Sequence, residues 1–108
     1  GFSSGGAETQ GSNKATGVTL NKPSGKITMH DAALADDAVV TFVLTNDKVS
    51  ASSCVIVNYA SIGDINGYQV RASNMGSGTC DINVRNISGG SLGQAIILNF
   101  IVLNATIS

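Results

Sequence analysis

The stretch 68-YQVRASNMGSGTCDINVR-85 decides the fold. Tyr68, Val70 and Ala72 alternate with Gln69, Arg71 and Ser73, and after a Gly-rich turn Cys80, Ile82 and Val84 alternate with Asp81, Asn83 and Arg85. A period of two puts successive side chains on opposite faces of an extended chain, so each half reads as a strand with an apolar face inward and a polar face outward. The turn between them, 74-NMGSGT-79, supplies Gly residues that reach positive φ, and the pair therefore reads as two antiparallel strands.

Outward from this pair, short apolar runs recur at roughly ten-residue spacing, each bounded by turn chemistry. Val18 to Leu20 is the first run, and Asn21 to Gly25 is a turn in which Pro23 fixes φ. Lys26 to Met29 is the second strand. His30 to Asp37 reads as a loop, and Ala38 to Thr45 is a third strand with Val40, Phe42 and Leu44 on one face. Ser53 to Tyr59 sets Val55, Val57 and Tyr59 against Cys54, Ile56 and Asn58, and the loop 61-SIGDING-67 follows it. The last strand, Ala95 to Leu103, is apolar on both faces: Ile96, Leu98, Phe100 and Val102 on one, and Ile97, Ile101 and Leu103 on the other. A strand apolar on both sides is either central between packed layers or half covered by another subunit. The expectation is an all-β fold, an antiparallel β-sandwich of about seven strands with jelly-roll-like winding, over residues 18–108. Residues 1–17, polar and Gly-rich with one large apolar side chain, Phe2, read as a flexible, disordered N-terminal arm or linker.

Composition narrows the function. The chain has 108 residues with a formal net charge of -1, 43% hydrophobic and 12% charged residues. Six Lys and Arg, scattered along it without aromatic interleaving, do not suit nucleic-acid binding. No run approaches the roughly 18 apolar residues of a membrane-spanning helix, so no membrane association is expected.

Chemistry-bearing residues are few. The single histidine, His30, stands where a strand enters a polar loop, which suits a capping role better than a catalytic one. SGGSLG contains no nucleophile elbow. Adjacent Asp36 and Asp37 would face opposite sides of a strand, and nothing in the sequence places Asp64 beside Asp81. Asp31, Asp36 and Asp37 share one loop, where they read as solvated acids, and Asp64 and Asn66 another, whose Asp-Ile-Asn-Gly lacks the further oxygens and distal Glu of a calcium loop. No catalytic residue, metal site or cofactor is expected. Cys54 and Cys80 read either as free thiols or as a disulfide pair. Tyr59 and Tyr68 fall on core faces, which leaves no exposed aromatic platform for sugar stacking.

Three stretches together resemble a small β-rich module of tailed-bacteriophage virion proteins: 17-GVTLNKPSGKITM-29, the middle 38-AVVTFVLTN-46 with 55-VIVNYAS-61, and 78-GTCDINVRNISGGSLGQAIILNFIVL-103. A TLNKPSG-type opening and an NIS-initiated ending that closes on NF carry the resemblance, which covers about residues 17 to 103. It implies a non-enzymatic structural component of a phage particle, as a tail fibre or spike module or a head decoration protein. It further implies localisation in the virion after assembly in the host cytoplasm, and partners among other virion proteins and copies of itself. Such components are commonly trimeric. On that reading Ile97, Ile101 and Leu103 line the interface of a homo-oligomer. The alternative is a receptor- or glycan-binding module at a fibre tip, using loop residues such as Asp64, Asn66, Met75 and Ser77 towards a host surface glycan.

Overall fold

The computed structural model describes residues 6–61 and 67–104. Among the described residues, eight strands form two four-stranded sheets: β1 (Gly6–Thr9), β2 (Val18–Thr19), β3 (Ser24–Thr28), β4 (Val39–Thr45), β5 (Ser53–Ser61), β6 (Tyr68–Ser73), β7 (Thr79–Asn86) and β8 (Ile97–Asn104). Sheet I has the order β1-β3-β8-β5 and sheet II the order β2-β4-β7-β6. The chain is an all-β sandwich with no helix among the described residues.

Period-two alternation builds the core between the sheets. From sheet II come Phe42 and Leu44 of β4, Cys80, Ile82 and Val84 of β7, and Tyr68 of β6. From sheet I come Ile27 of β3, Val55 and Val57 of β5, and Leu98, Phe100 and Val102 of β8. Alternation in the sequence groups these residues on single faces of their strands, except Ile27, whose strand is too short to alternate clearly. β8 is an interior strand of sheet I, hydrogen-bonded to β3 on one side and β5 on the other. One of its apolar faces fills the core and the other looks outward.

The ladders between long strands are antiparallel, while β1 with β3 and β2 with β4 pair in parallel. The parallel pair β1 with β3 brings residues 6–9 onto the edge of sheet I. Residues 1–5 lie outside the described residues, but from Gly6 onward the segment is docked on the domain. Its anchoring is polar, which is why no apolar pattern announces it. The Gln10 side chain is buried, donates to the carbonyls of Lys14 (2.8 Å) and Thr16 (3.1 Å), and accepts from the His30 N–H at 2.9 Å. The Lys14 ammonium is also buried and donates to the carbonyls of His30 and, at 2.6 Å, Gln94. Close packing completes the dock: a Cβ on Gly25 would stand 2.7 Å from the Gly6 carbonyl oxygen and 2.9 Å from Leu20. Only glycine admits the neighbouring backbone there.

Two buried asparagines close the ends of sheet II. Asn46 follows β4, donates to the Lys22 carbonyl at 2.6 Å and accepts from the Lys48 N–H at 3.0 Å. Asn86 ends β7, donates to the carbonyls of Leu34 and Gly90, both at 2.7 Å, and accepts from the N–H and hydroxyl of Ser88. Both are fully buried. An amide meets donors and acceptors at once, so a single side chain satisfies several loop backbone groups that would otherwise be buried unpaired.

Candidate functional site

Sheet I carries an apolar patch on its outer face. Register pairs Ile56 with Ile101 and Cys54 with Leu103, and all four side chains point away from the core. Ile56 and Leu103 are 44% and 45% exposed, and Ile101 is half-buried. Of the three interface residues expected from the sequence, Ile101 and Leu103 therefore lie together. Ile97 is also on the outer face, but the row of Asn58, Asn99 and Lys26 separates it from them. The expectation missed the contribution of β5. Its alternation already placed Cys54 and Ile56 opposite Val55 and Val57; what a sequence cannot show is that β5 lies beside β8 in this register.

The same geometry settles the cysteines. Cys54 points outward from sheet I, Cys80 lies in the core on sheet II, and both are free thiols, so the disulfide reading is corrected. Burial, with a smaller contribution from the neighbouring Asp81 carboxylate, pushes the Cys80 thiol up to about 11. It stays protonated and acts as a small apolar core side chain. Desolvation lowers the pKa of Lys14, with the Asp31 carboxylate acting weakly against it. Its role is to hold backbone carbonyls in place.

The loop acids diverge. Asp37 pairs with Arg85, whose Nε donates to it at 3.0 Å and whose Nη2 donates to the same oxygen. Asp36 accepts from the Gly89 N–H at 3.0 Å, and Asp31 lies 3.5 Å from the His30 ring. Asp64 and Asn66 lie outside the described residues. Among the described residues no three His, Cys, Asp or Glu side chains converge as a metal site would require. His30 caps a turn: its Nδ1 accepts from the Ala32 N–H at 3.0 Å. Tyr68 is buried and donates its hydroxyl to Gln94 at 2.8 Å, with its ring centroid 5.8 Å from that of the half-buried Tyr59. Met75 is half-buried and Ser77 exposed in the β6–β7 turn.

Sheet II has a polar outer face. Its rows are Val39, Arg85 and Gln69; Thr41, Asn83 and Arg71; and Val43, Asp81 and Ser73. In the middle row, Thr41 donates to Asn83 Oδ1 at 2.7 Å, and Asn83 Nδ2 donates to Ser73 Oγ at 2.8 Å. The two sandwich faces thus differ in balance: sheet I clusters aliphatic carbon from β5 and β8, while sheet II presents mainly amides, hydroxyls and guanidinia, with Val39 and Val43 exposed along β4.

Comparison with protein-family models, with curated proteins and with solved structures finds no match for this chain.

Proposed function

We propose that this chain is a non-enzymatic structural module of a tailed-phage particle, a tail fibre or spike module or a capsid decoration protein, that works by self-association. The observation that carries the reading is the patch of Ile56, Ile101 and Leu103 on the outer face of sheet I, aliphatic carbon that the chain's own fold leaves open. Clustered aliphatic side chains on a β-sheet surface gain from being covered by a like surface, and a closed symmetric assembly does this without leaving an open end. The TLNKPSG-type opening and the NIS-initiated ending support the virion setting and favour a trimer. Consecutive strands from β3 to β6 change sheet at every step, which supports the jelly-roll-like winding.

The test is the absolute mass in solution, by light scattering coupled to size exclusion over a wide concentration range. A closed oligomer, above all a trimer, is expected for the natural chain. Ile101→Asp and Leu103→Asp are expected to give folded monomers, because a charge inside an apolar interface costs several kcal/mol while an outward-facing position at the surface of the free chain tolerates it. A natural chain that stays monomeric at every concentration refutes the reading. So does an oligomer that both substitutions leave intact.

A further inference from the structure

The outer face of sheet II holds a groove of about 340 Å³ lined by Val39, Gln69, Arg71, Ser73, Asn83 and Arg85. Register creates it: Arg71 lies directly across from Asn83, and Gln69 directly across from Arg85. The two guanidinia are therefore diagonal neighbours on one face, with stems about 7 Å apart. Asp37 holds Arg85 through Nε and Nη2. Among the described residues, the Arg71 guanidinium has no ion pair and no side-chain hydrogen bond. One positive charge in the groove is thus paired and the other is not.

We propose that this groove binds a carboxylated saccharide, with Arg71 taking the carboxylate. A guanidinium presents parallel N–H donors that match the two oxygens of a carboxylate. The rest of the lining suits a sugar. Thr41 and Ser73 fix the Asn83 amide, the Ser73 hydroxyl keeps its own proton to donate, and the Gln69 amide is open for ring hydroxyls. Val39, 58% exposed, forms an apolar wall for the C–H face of a ring. The described tyrosines turn inward, so a neutral sugar finds no aromatic surface to stack on, and the charge must supply most of the hold. A peptide is less suited. The backbone groups of β7 beneath the groove are already paired with β4 and β6, so the main-chain bonds that extended peptides use are open only along the outer edge of β6, beside the groove and not within it. This inference goes beyond self-association and is independent of it, because the groove and the aliphatic patch lie on opposite sheets.

The experiment is an NMR titration of amide shifts in the natural chain with a uronic-acid disaccharide, its methyl ester, inorganic phosphate, and a short peptide with a free C-terminal carboxylate. The expected result is a dissociation constant of about 1 mM for the uronate, as suits an open groove, with shifts confined to residues 39–41, 69–73 and 81–85. The ester is expected to bind at least about tenfold more weakly, since it removes one charge-assisted pair. Arg71→Gln should weaken uronate binding by about tenfold, and Asp37→Asn should strengthen it by releasing Arg85. Asn is a sound replacement there because Asp37 has φ 64, a left-handed conformation that Asn accepts. Absence of uronate shifts in this region, or equal binding of acid and ester, overturns the proposal. So does binding that ignores Arg71→Gln, or phosphate or peptide binding as tight as the uronate's. The acid and ester comparison uses the natural chain, so it stands even if a variant folds poorly.

Discussion

Replacing Asn86 tests whether one amide holds the end of the sandwich. The side chain is fully buried and spans three loop positions: it donates to the Leu34 and Gly90 carbonyls and accepts twice from Ser88. In Asn86→Ala both buried donor bonds vanish, each worth about 1 kcal/mol net. The two carbonyls keep one partner apiece, Leu92 N–H for Leu34 and the Ser88 hydroxyl for Gly90, so the full penalty of an orphaned acceptor does not apply. The volume left behind adds about another 1 kcal/mol. A loss of about 3 kcal/mol is expected, a large share of the 5–15 kcal/mol typical of a domain. With a urea slope of about 2 kcal/mol/M, the unfolding midpoint should fall by about 1.5 M with the slope unchanged. Asn86→Asp is the control. It keeps the volume and the acceptor towards Ser88, but turns an anionic oxygen towards two carbonyls, so at neutral pH it should cost more than Ala. Burial against carbonyls raises that carboxyl's pKa in the folded state, so the Asp variant should recover stability as the pH falls and the acid becomes a donor. A loss below 1 kcal/mol for Ala, or an Asp variant as stable as the natural chain at pH 7, refutes this account.

Two further outcomes follow from the docked start of the chain. Gly25→Ala places a methyl group 2.7 Å from the Gly6 carbonyl oxygen, so β1 should detach from β3, and limited proteolysis should cut between residues 6 and 17 far faster than in the natural chain. Lys14 has a folded-state pKa below its ordinary 10.5, so between the lowered value and 10.5 the unfolded chain binds more protons and Lys14's contribution to stability rises with pH. Urea unfolding at pH 7 and pH 10 should therefore show the natural chain gaining stability relative to Lys14→Met at the higher pH; a falling difference would sink the argument.

The sequence displays faces well and neighbours poorly. Alternation is a local property, and it placed Phe42, Leu44, Cys80, Ile82, Val84, Leu98 and Phe100 in the core correctly. The docking of residues 6–17 is not legible for a physical reason: Gln10 and Lys14 are held by hydrogen bonds to backbone carbonyls, one of them eighty residues away, and nothing apolar marks them. The apolar patch was half legible, because β8 declares its second face while the partnership with β5 does not show in composition. The groove was less legible still. Gln69, Arg71, Asn83 and Arg85 each read as outward, but only the β6–β7 register makes them one surface. The cysteines follow the same logic, since facing is local and proximity is not.

The strand order also bears on how the chain reaches this structure. Among the described strands only β6 and β7 are neighbours both along the chain and within a sheet; every other ladder joins strands with another element between them. Loop closure must come before such pairings are rewarded, so this topology belongs to the slow-folding class, in the range of milliseconds to seconds. Of the eight described strands β8 is the last to leave the ribosome, and it is the one that joins β3 to β5. Sheet II can therefore nucleate around the β6–β7 hairpin during synthesis. Until residues 97–104 emerge, β3 and β5 wait with unpaired edges, and that interval is when the nascent chain is most open to mispairing with its neighbours.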